Sequence, residues 1–424
     1  MKNKKRFLGL IAAALLATSG WAQMTFTYSA TTATESTMTD GSTLVQLPAG
    51  TDLNGGFITA VKVDGVAVDA ANVTPDPTKT FITDGEIETF VYAGKAYSFR
   101  FIAGEYFTAV IFSDPHVAQD DYDGITVANM QTFVSNVVNM GKDGGKVVTF
   151  DKGPKGFVPT ADIVFCLGDM DADKASGDDF KNAIAGFNTA GIPFITMAGN
   201  HDFVPYLWDD ETTGVTLEGA SADQTTLTII EEQNATAAEN GDFEITTFTQ
   251  SNGDVQPKPF AFEFKGVDFY CGQTYWYQMP YTGKVLISSS TSGLTYYAAD
   301  GIIDALNTYV EGRKGKAAVW MQHYPFNYGD DCDRWWLDQN KNGNTIAPNE
   351  ASAYTTAAQK KDKLVEIISK TKNPVHFSGH VHSTATKTYS TLTDHTIDNT
   401  ISMAAFVVLC KEGEGVVDIK TVTF

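Results

Sequence analysis

The chain reads as an α/β protein preceded by a small N-terminal β-domain, and three observations predict it. From about Tyr106 onward, runs of β-branched and aromatic residues alternate with stretches whose apolar residues recur at helical spacing. Between Met24 and roughly Phe101, short alternating apolar pieces are divided by turn residues, and no histidine occurs. Five of the seven histidines fall in short blocks that each follow a strand-like run. In chain order these blocks are Asp114-Pro115-His116, Gly168-Asp169, Gly199-Asn200-His201-Asp202, His323 and Gly379-His380-Val381-His382.

The first element is a leader. Lys2, Lys4, Lys5 and Arg6 open it, residues 7–17 are apolar, and Gly20-Trp21-Ala22 offers small residues at a cut after Ala22. The apolar run is shorter than the roughly 20 residues of a membrane span. Residues 1–22 are therefore expected to be a signal peptide, and the mature protein to be exported to the periplasm, cell surface or exterior. No later segment is long and apolar enough to span a membrane as a helix.

Residues 23–102 form the β-domain, with apolar-alternating pieces at 57–63, 89–92 and 97–101 and turns at Asp64-Gly65 and Asp84-Gly85. Residues 103–384 form the α/β domain. Its helices are expected over 125–140, 179–187, 300–310 and 357–368, and its strands over the runs at 108–112, 163–167, 192–197, 317–321 and 374–377. The polar, Thr- and Glu-rich stretch 208–259 reads as an insertion or lid with some strand. Residues 260–264 and 267–270, joined around Gly266, read as a hairpin. Residues 385–424 supply further strands that complete the domain.

Composition narrows the function classes. Loss of the leader removes four positive charges, taking the formal charge from −21 to −25. So acidic a surface repels nucleic acid, and a long polymeric DNA or RNA partner is not expected. Four cysteines are too few for a disulfide scaffold in an exported chain of this size. Cys166 and Cys410 lie in apolar runs and read as small buried hydrophobes; a Cys271–Cys332 pairing stays open.

The blocks carry the chemistry. Carboxylate, amide oxygen and imidazole are the ligands of hard or borderline divalent metals. Two such ions about 3.5–4 Å apart clamp a phosphate and polarise an attacking water. If the strand conformation persists, Asp114 and His116 point to one side and reach one ion. His380 and His382 have the same spacing, but beyond Gly379 a turn would send them to different ions. Asp169, past a glycine at its strand end, has two oxygens with which to bridge both.

This set of blocks resembles the calcineurin-like metallophosphoesterase superfamily, with the pattern Asp-x-His, Gly-Asp, Gly-Asn-His-Asp/Glu, a single His, then Gly-His-x-His. The resemblance spans Asp114 to His382, about two thirds of the chain. It implies an αββα sandwich of two mixed sheets covered by helices. It also implies that Asp114, His116 and His382 hold one ion, that Asn200, His323 and His380 hold the other, and that Asp169 bridges. His201 would then stabilise the phosphoryl transition state or protonate the leaving oxygen, oriented by Asp202. The sequence departs from the pattern in three places: Pro115 inside the opening motif, Ala172 where many members have Asp or Tyr, and the long gap from His116 to Gly168. The missing Tyr argues against the purple acid phosphatase branch.

Other residues have competing readings. His376 is read as a core histidine and His395 as exposed and inert. Tyr324, Phe326, Tyr328, Trp335 and Trp336 either wall a pocket or simply pack. The Asp338 to Asn344 segment imitates the start of an EF-hand calcium loop, but the expected glutamate arrives one place late, as Glu350, and an Asn-rich turn is the better reading. The sequence thus predicts an exported two-metal phosphoesterase, using Mn, Fe or Zn, that acts on a small phosphate ester by direct attack of metal-bridging water or hydroxide. Monoester and diester substrates stay undecided. The alternative is a catalytically silent surface binding protein that keeps the fold.

Overall fold

The computed structural model describes residues 23–29, 33–38, 41–117, 124–155, 157–170, 178–199, 202, 221–248, 255–256, 258–272, 276–278, 285–286, 300–327, 356–398 and 400–424. The leader, Asn200, His201, Cys332 and the calcium-like segment lie outside them. The chain divides into two compact units, one of Met1–Val45 with Asp52–Phe101 and the other of Gln46–Thr51 with Ile102–Phe424. No helix among the described residues is long and apolar enough to cross a membrane.

The first unit holds strands β1 (Met24–Tyr28), β2 (Thr34–Thr37), β3 (Thr43–Leu47), β4 (Ile58–Val63), β5 (Val66–Val68), β6 (Ile87–Tyr92) and β7 (Lys95–Ala103), the third and last of which run on into the second unit. Sheet order is β1-β4-β5 in one sheet and β2-β3-β7-β6 in the other. Alternation makes this possible: Phe26 on β1 meets Phe90 on β6 and Phe99 on β7, with ring centroids 5.3 and 4.6 Å away. Edge-on and tilted ring pairs of this kind add to the apolar burial that closes two sheets on each other.

The second unit continues with β8 (Tyr106–Phe112), α1 (Val127–Val138), β9 (Ile163–Cys166), α2 (Asp178–Thr189), β10 (Phe194–Thr196) and α3 (Ser221–Gly241). Next come β11 (Thr246–Thr247), β12 (Val255–Gln256), β13 (Phe260–Phe264), β14 (Val267–Cys271), β15 (Trp276–Gln278), β16 (Val285–Leu286) and α4 (Asp300–Glu311). The chain ends with β17 (Ala317–Met321), α5 (Ala357–Ile368), β18 (Lys372–Ser378), β19 (Ala385–Tyr389), β20 (Leu392–Thr396), β21 (Ala404–Lys411) and β22 (Gly415–Thr423). One sheet has the order β10-β9-β8-β21-β22, the second β11-β13-β14-β17-β18-β20-β19, and β12-β15-β16 form a small third. The three strands β8, β9 and β10 run parallel, as do β14, β17, β18 and β20, and antiparallel strands complete each sheet.

Side-chain alternation sorts this unit into four layers. On β8, Phe107, Ala109 and Ile111 face the core between the sheets, where they meet Phe262, Phe269, Val319, Met321 and Phe377 of the second sheet. Val110 and Phe112 face the other way, onto Met130, Phe133 and Val137 of α1 and Phe180 and Phe187 of α2. The outer face of the second sheet presents Tyr270, Ala318 and Trp320 to α4 and α5. Both faces of each central strand are covered, and so the runs are unbroken in apolar residues rather than alternating. The expected α/β sandwich of two helix-covered sheets is what the chain adopts, and the Gly266 hairpin forms as β13 and β14.

The stretch 208–259 holds some strand, as expected, in β11 and β12. Its largest described element, which the sequence did not announce, is the 21-residue helix α3. Its threonines and short apolar content conceal it, and packing rather than intrinsic preference supports it. Asn234 and Gln233 reach from α3 to the edge strand β10. The Asn234 amide accepts from Thr196 N at 2.9 Å and donates to Thr196 O at 3.0 Å, and Gln233 donates to Phe194 O at 3.1 Å. The helix thereby satisfies backbone groups that an open sheet edge would leave unpaired.

Candidate metal centre

Six of the seven expected metal ligands are described, and all six follow the C-terminal ends of parallel strands: Asp114 and His116 after β8, Asp169 after β9, His323 after β17, His380 and His382 after β18. This is where α/β sheets leave backbone free to turn and carry ligands. The strand-alternation argument for Asp114 and His116 does not hold. β8 ends at Phe112, and both residues have left-handed backbone, with φ of 52° and 41°. What brings them together is a turn clamped to the segment after β9: Asp114 N donates to Gly168 O, His116 N to Asp169 O and Val117 N to Met170 O, at 3.0, 3.0 and 2.7 Å. Asp169, His380 and His382 share the left-handed conformation, at 55°, 69° and 46°. Non-glycine residues rarely adopt it, at a cost of order 1–3 kcal/mol each, and such strain gathers at functional sites.

The donor atoms converge in two groups, Asp114 with His116 and His382, and Asp169 with His323 and His380, each group within 4.8 Å. In the first, His116 Nε2 and His382 Nε2 are 3.2 Å apart, and His382 Nε2 is 3.4 Å from Asp114 Oδ1. In the second, His323 Nε2 is 3.2 Å from both His380 Nδ1 and Asp169 Oδ2. Asp169 Oδ2 is also 3.8 Å from His116 Nε2, which places one carboxylate oxygen between the groups. His380 and His382 do separate, one to each group. His323 Nδ1 lies 2.9 Å from Leu167 O, an acceptor, so Nδ1 carries the proton and Nε2 points inward. Asp114, His116, Asp169 and His323 are buried, whereas the His382 side chain is 34% exposed, so the site opens on that side. Four imidazoles and two carboxylates arranged in this way fit a pair of borderline divalent ions.

Close approach explains two of the motif glycines. A Cβ on Gly199 would collide with the Asp169 carboxylate, and one on Gly379 would strike Ser113 Oγ and lie 2.6 Å from Asp114 Oδ2. Neither obstacle is a flexible side-chain tip. The Asp114 carboxylate also accepts from His380 N, at 2.9 and 3.1 Å, so the two outer blocks are tied together directly.

Electrostatics follow from burial and crowding. Burial pushes the Asp114 carboxyl up, but the His323 and His382 imidazoles together bring it below its usual value. Burial works against protonation of His323, yet the Asp169 and Asp114 charges raise it to about 9. His382 is raised first by its hydrogen bond to Asp114. Burial and then the Asp169 charge push Asp202 up to about 7, against the pull of the Gly199 and Met170 N–H groups. The Asp202 carboxylate accepts from Asp169 N, Met170 N and Gly199 N at 2.9, 2.8 and 2.7 Å. It fastens the Asp169 loop to the Gly199 loop.

His376 is the core histidine the sequence predicts, 2.8 Å from Asp394 Oδ1. His395, expected to be exposed, is instead half-buried: its ring stacks on Phe377 at 5.5 Å, Nδ1 lies 3.0 Å from Thr386 Oγ1, and burial lowers its pKa. Tyr324 and Phe326 are packing residues, fully buried, and Tyr324 sets its ring edge-on to His380 at 4.5 Å. Tyr328, Trp335 and Trp336 lie outside the described residues. Cys271 is a free buried thiol in the core between the sheets, which removes the pairing left open for it. Asp394 and Asn234 have no motif around them, and Ser378, although it adjoins the Gly379 block, is not part of that pattern, so none of the three stood out in the sequence.

No protein-family model and no curated protein matches the chain. Solved structures similar to it include TT1561 of Thermus thermophilus, at 9% identity and a TM-score of 0.36, covering 75% of this chain and 99% of that one. GAP50, the anchor in the inner membrane complex of Plasmodium, is 11% identical with a TM-score of 0.34, over 75% and 84% of the two chains. The phosphopantetheinyl hydrolase PptH of Mycobacterium tuberculosis is 12% identical with a TM-score of 0.31, over 70% and 91%. Likenesses this distant do not bear on chemistry.

Proposed function

We propose that this chain is an exported, metal-dependent phosphoric ester hydrolase of the calcineurin-like metallophosphoesterase type. The observation that carries the proposal is Asp169 Oδ2, buried between His323 of one donor group and His116 of the other, 3.2 and 3.8 Å away. Two divalent ions held by these groups would clamp the phosphate oxygens and activate water for direct attack on phosphorus.

The chain's own residues supply the rest. Asp114, His116 and His382 would hold one ion, and His323 and His380, joined by Asn200, the other. The partial exposure of His382 supports entry of a small ester from that side. His201 would protonate the leaving oxygen or stabilise charge on the phosphoryl group, a role worth on the order of 10²–10⁴ in rate. Asp202, next to it in the chain, ties the Gly199 backbone to that of Asp169. Export is supported by the charged-then-apolar start of residues 1–22.

The test is hydrolysis of p-nitrophenyl phosphate and bis-p-nitrophenyl phosphate with added Mn, Fe or Zn, with and without chelator. Metal-dependent release of p-nitrophenol is expected, and the ratio of the two rates identifies the ester class. Binding of two ions with no turnover of either substrate or of a wider phosphate-ester panel would contradict hydrolysis and leave a binding protein.

A further inference from the structure

We infer that Asp394 is a positioning residue that governs one ion site of the pair, the one formed by Asp169, His323 and His380, and not the other. This rests on the two-ion reading above. Asp394 sits on β20, directly opposite His376 of the parallel strand β18. It is 1% exposed and belongs to none of the ligand blocks. Its two oxygens serve different parts of the chain. Oδ1 accepts from His376 Nδ1 and from Ser378 Oγ, both at 2.8 Å. Oδ2 accepts from Phe326 N, also at 2.8 Å.

Those three donors flank two ligands. Ser378 stands two residues before His380, and Phe326 three residues after His323. Gly379 N donates to His323 O at 2.9 Å, and the His323 and His380 ring nitrogens meet at 3.2 Å. Asp394 therefore pins both imidazole-bearing loops of one donor group from beneath. Phe326 fills the space beside it, its ring edge-on to His376 at 4.8 Å. The backbone of Asp114 and His116 in the other group hangs on the segment after β9, and the Asp114 carboxylate meets the β18 loop through His380 N, not through a partner of Asp394. His382 lies two residues beyond His380, held through Asp114. The ionised carboxylate can only accept, and it takes a hydrogen bond from each of the three partners. An asparagine of the same shape offers an N–H₂ where one acceptor stood, leaving a buried donor facing a donor.

The experiment uses the full chain and Mn²⁺ as the probe. Manganese affinities of wild type and Asp394→Asn are measured by calorimetric titration, the coupling of the bound ions by electron paramagnetic resonance, and the thermal midpoint in chelator. Wild type is expected to take up two ions with a spin-coupled spectrum. In Asp394→Asn one affinity should fall about 10–100-fold, the loss typical when a partner of a ligand is removed. The other affinity should hold within about threefold, and the spectrum at low manganese should become that of an isolated ion. Equal loss of both affinities alongside a lower midpoint would mean a merely structural role and overturn the inference, as would unchanged affinities. If Asp394→Asn does not fold, Ser378→Ala removes one of the three donors and decides instead: a selective loss at one site supports the inference, and two unaltered affinities refute it. A wild-type chain that binds no manganese would sink the two-ion reading itself. A wild type with two ions beside a variant that holds both equally well would sink only the role of Asp394.

Discussion

Asp169 is a carboxylate buried between imidazoles of two donor groups, the placement the proposed bridge between two cations needs. Asp169→Asn keeps the shape but offers one neutral oxygen to two positions. It should lower kcat by at least about 10²-fold, as does loss of a group that acts on the transition state, and reduce bound metal below two per chain on elemental analysis. An active Asp169→Asn variant with two tightly held ions would contradict bridging. His323 gives a pH signature. Its pKa of about 9 lies above the ordinary 6.5, so without metal it is protonated at neutral pH and must shed that proton to bind. Metal affinity should therefore rise with pH until about 9, with proton release detectable by calorimetry in buffers of different ionisation enthalpy. By the same sign, protonated His323 contributes stability to the chelated protein that is fully present below 6.5 and is lost as pH climbs through about 9. Pattern singled out the ligand candidates because each follows a glycine or a strand-like run. It did not reveal how they converge: Asp114 and His116 meet through left-handed turns, which no spacing rule encodes.

Elements were legible where both faces of a strand or one face of a helix are apolar. β8, β9, β17 and helices α1, α2, α4 and α5 appear close to where periodicity places them. α3 was hidden because only a few of its residues, among them Ile230 and Ala237, enter the cores, and its tie to the sheet is polar. That tie is testable. Asn234→Ala leaves Thr196 N and O, both in a buried residue, without the amide that pairs them. An unpaired buried group costs about 1–3 kcal/mol. Urea denaturation of the chelated variant should show a stability loss of at least about 1 kcal/mol with an unchanged m-value. A loss within error would mean that water replaces the amide and that α3 is not what closes the β10 edge.

At the scale of the molecule, three buried carboxylates, Asp114, Asp169 and Asp202, gather at the candidate metal centre of a chain whose formal charge is −21. All six described ligand candidates belong to the second unit, and the first contributes none. Sequence showed that segregation plainly, since the first histidine is His116. It missed the supporting residues, Asp394, Ser378 and Asn234, because isolated polar residues gain meaning only when the fold brings their partners close. The most direct test is anomalous diffraction from crystals of the full chain grown with manganese and recorded near the manganese edge. Two peaks about 3.5–4 Å apart are expected on either side of the Asp169 carboxylate, one against Asp114, His116 and His382 and the other against His323 and His380. A single peak, or ions bound away from Asp169, would contradict a two-metal centre.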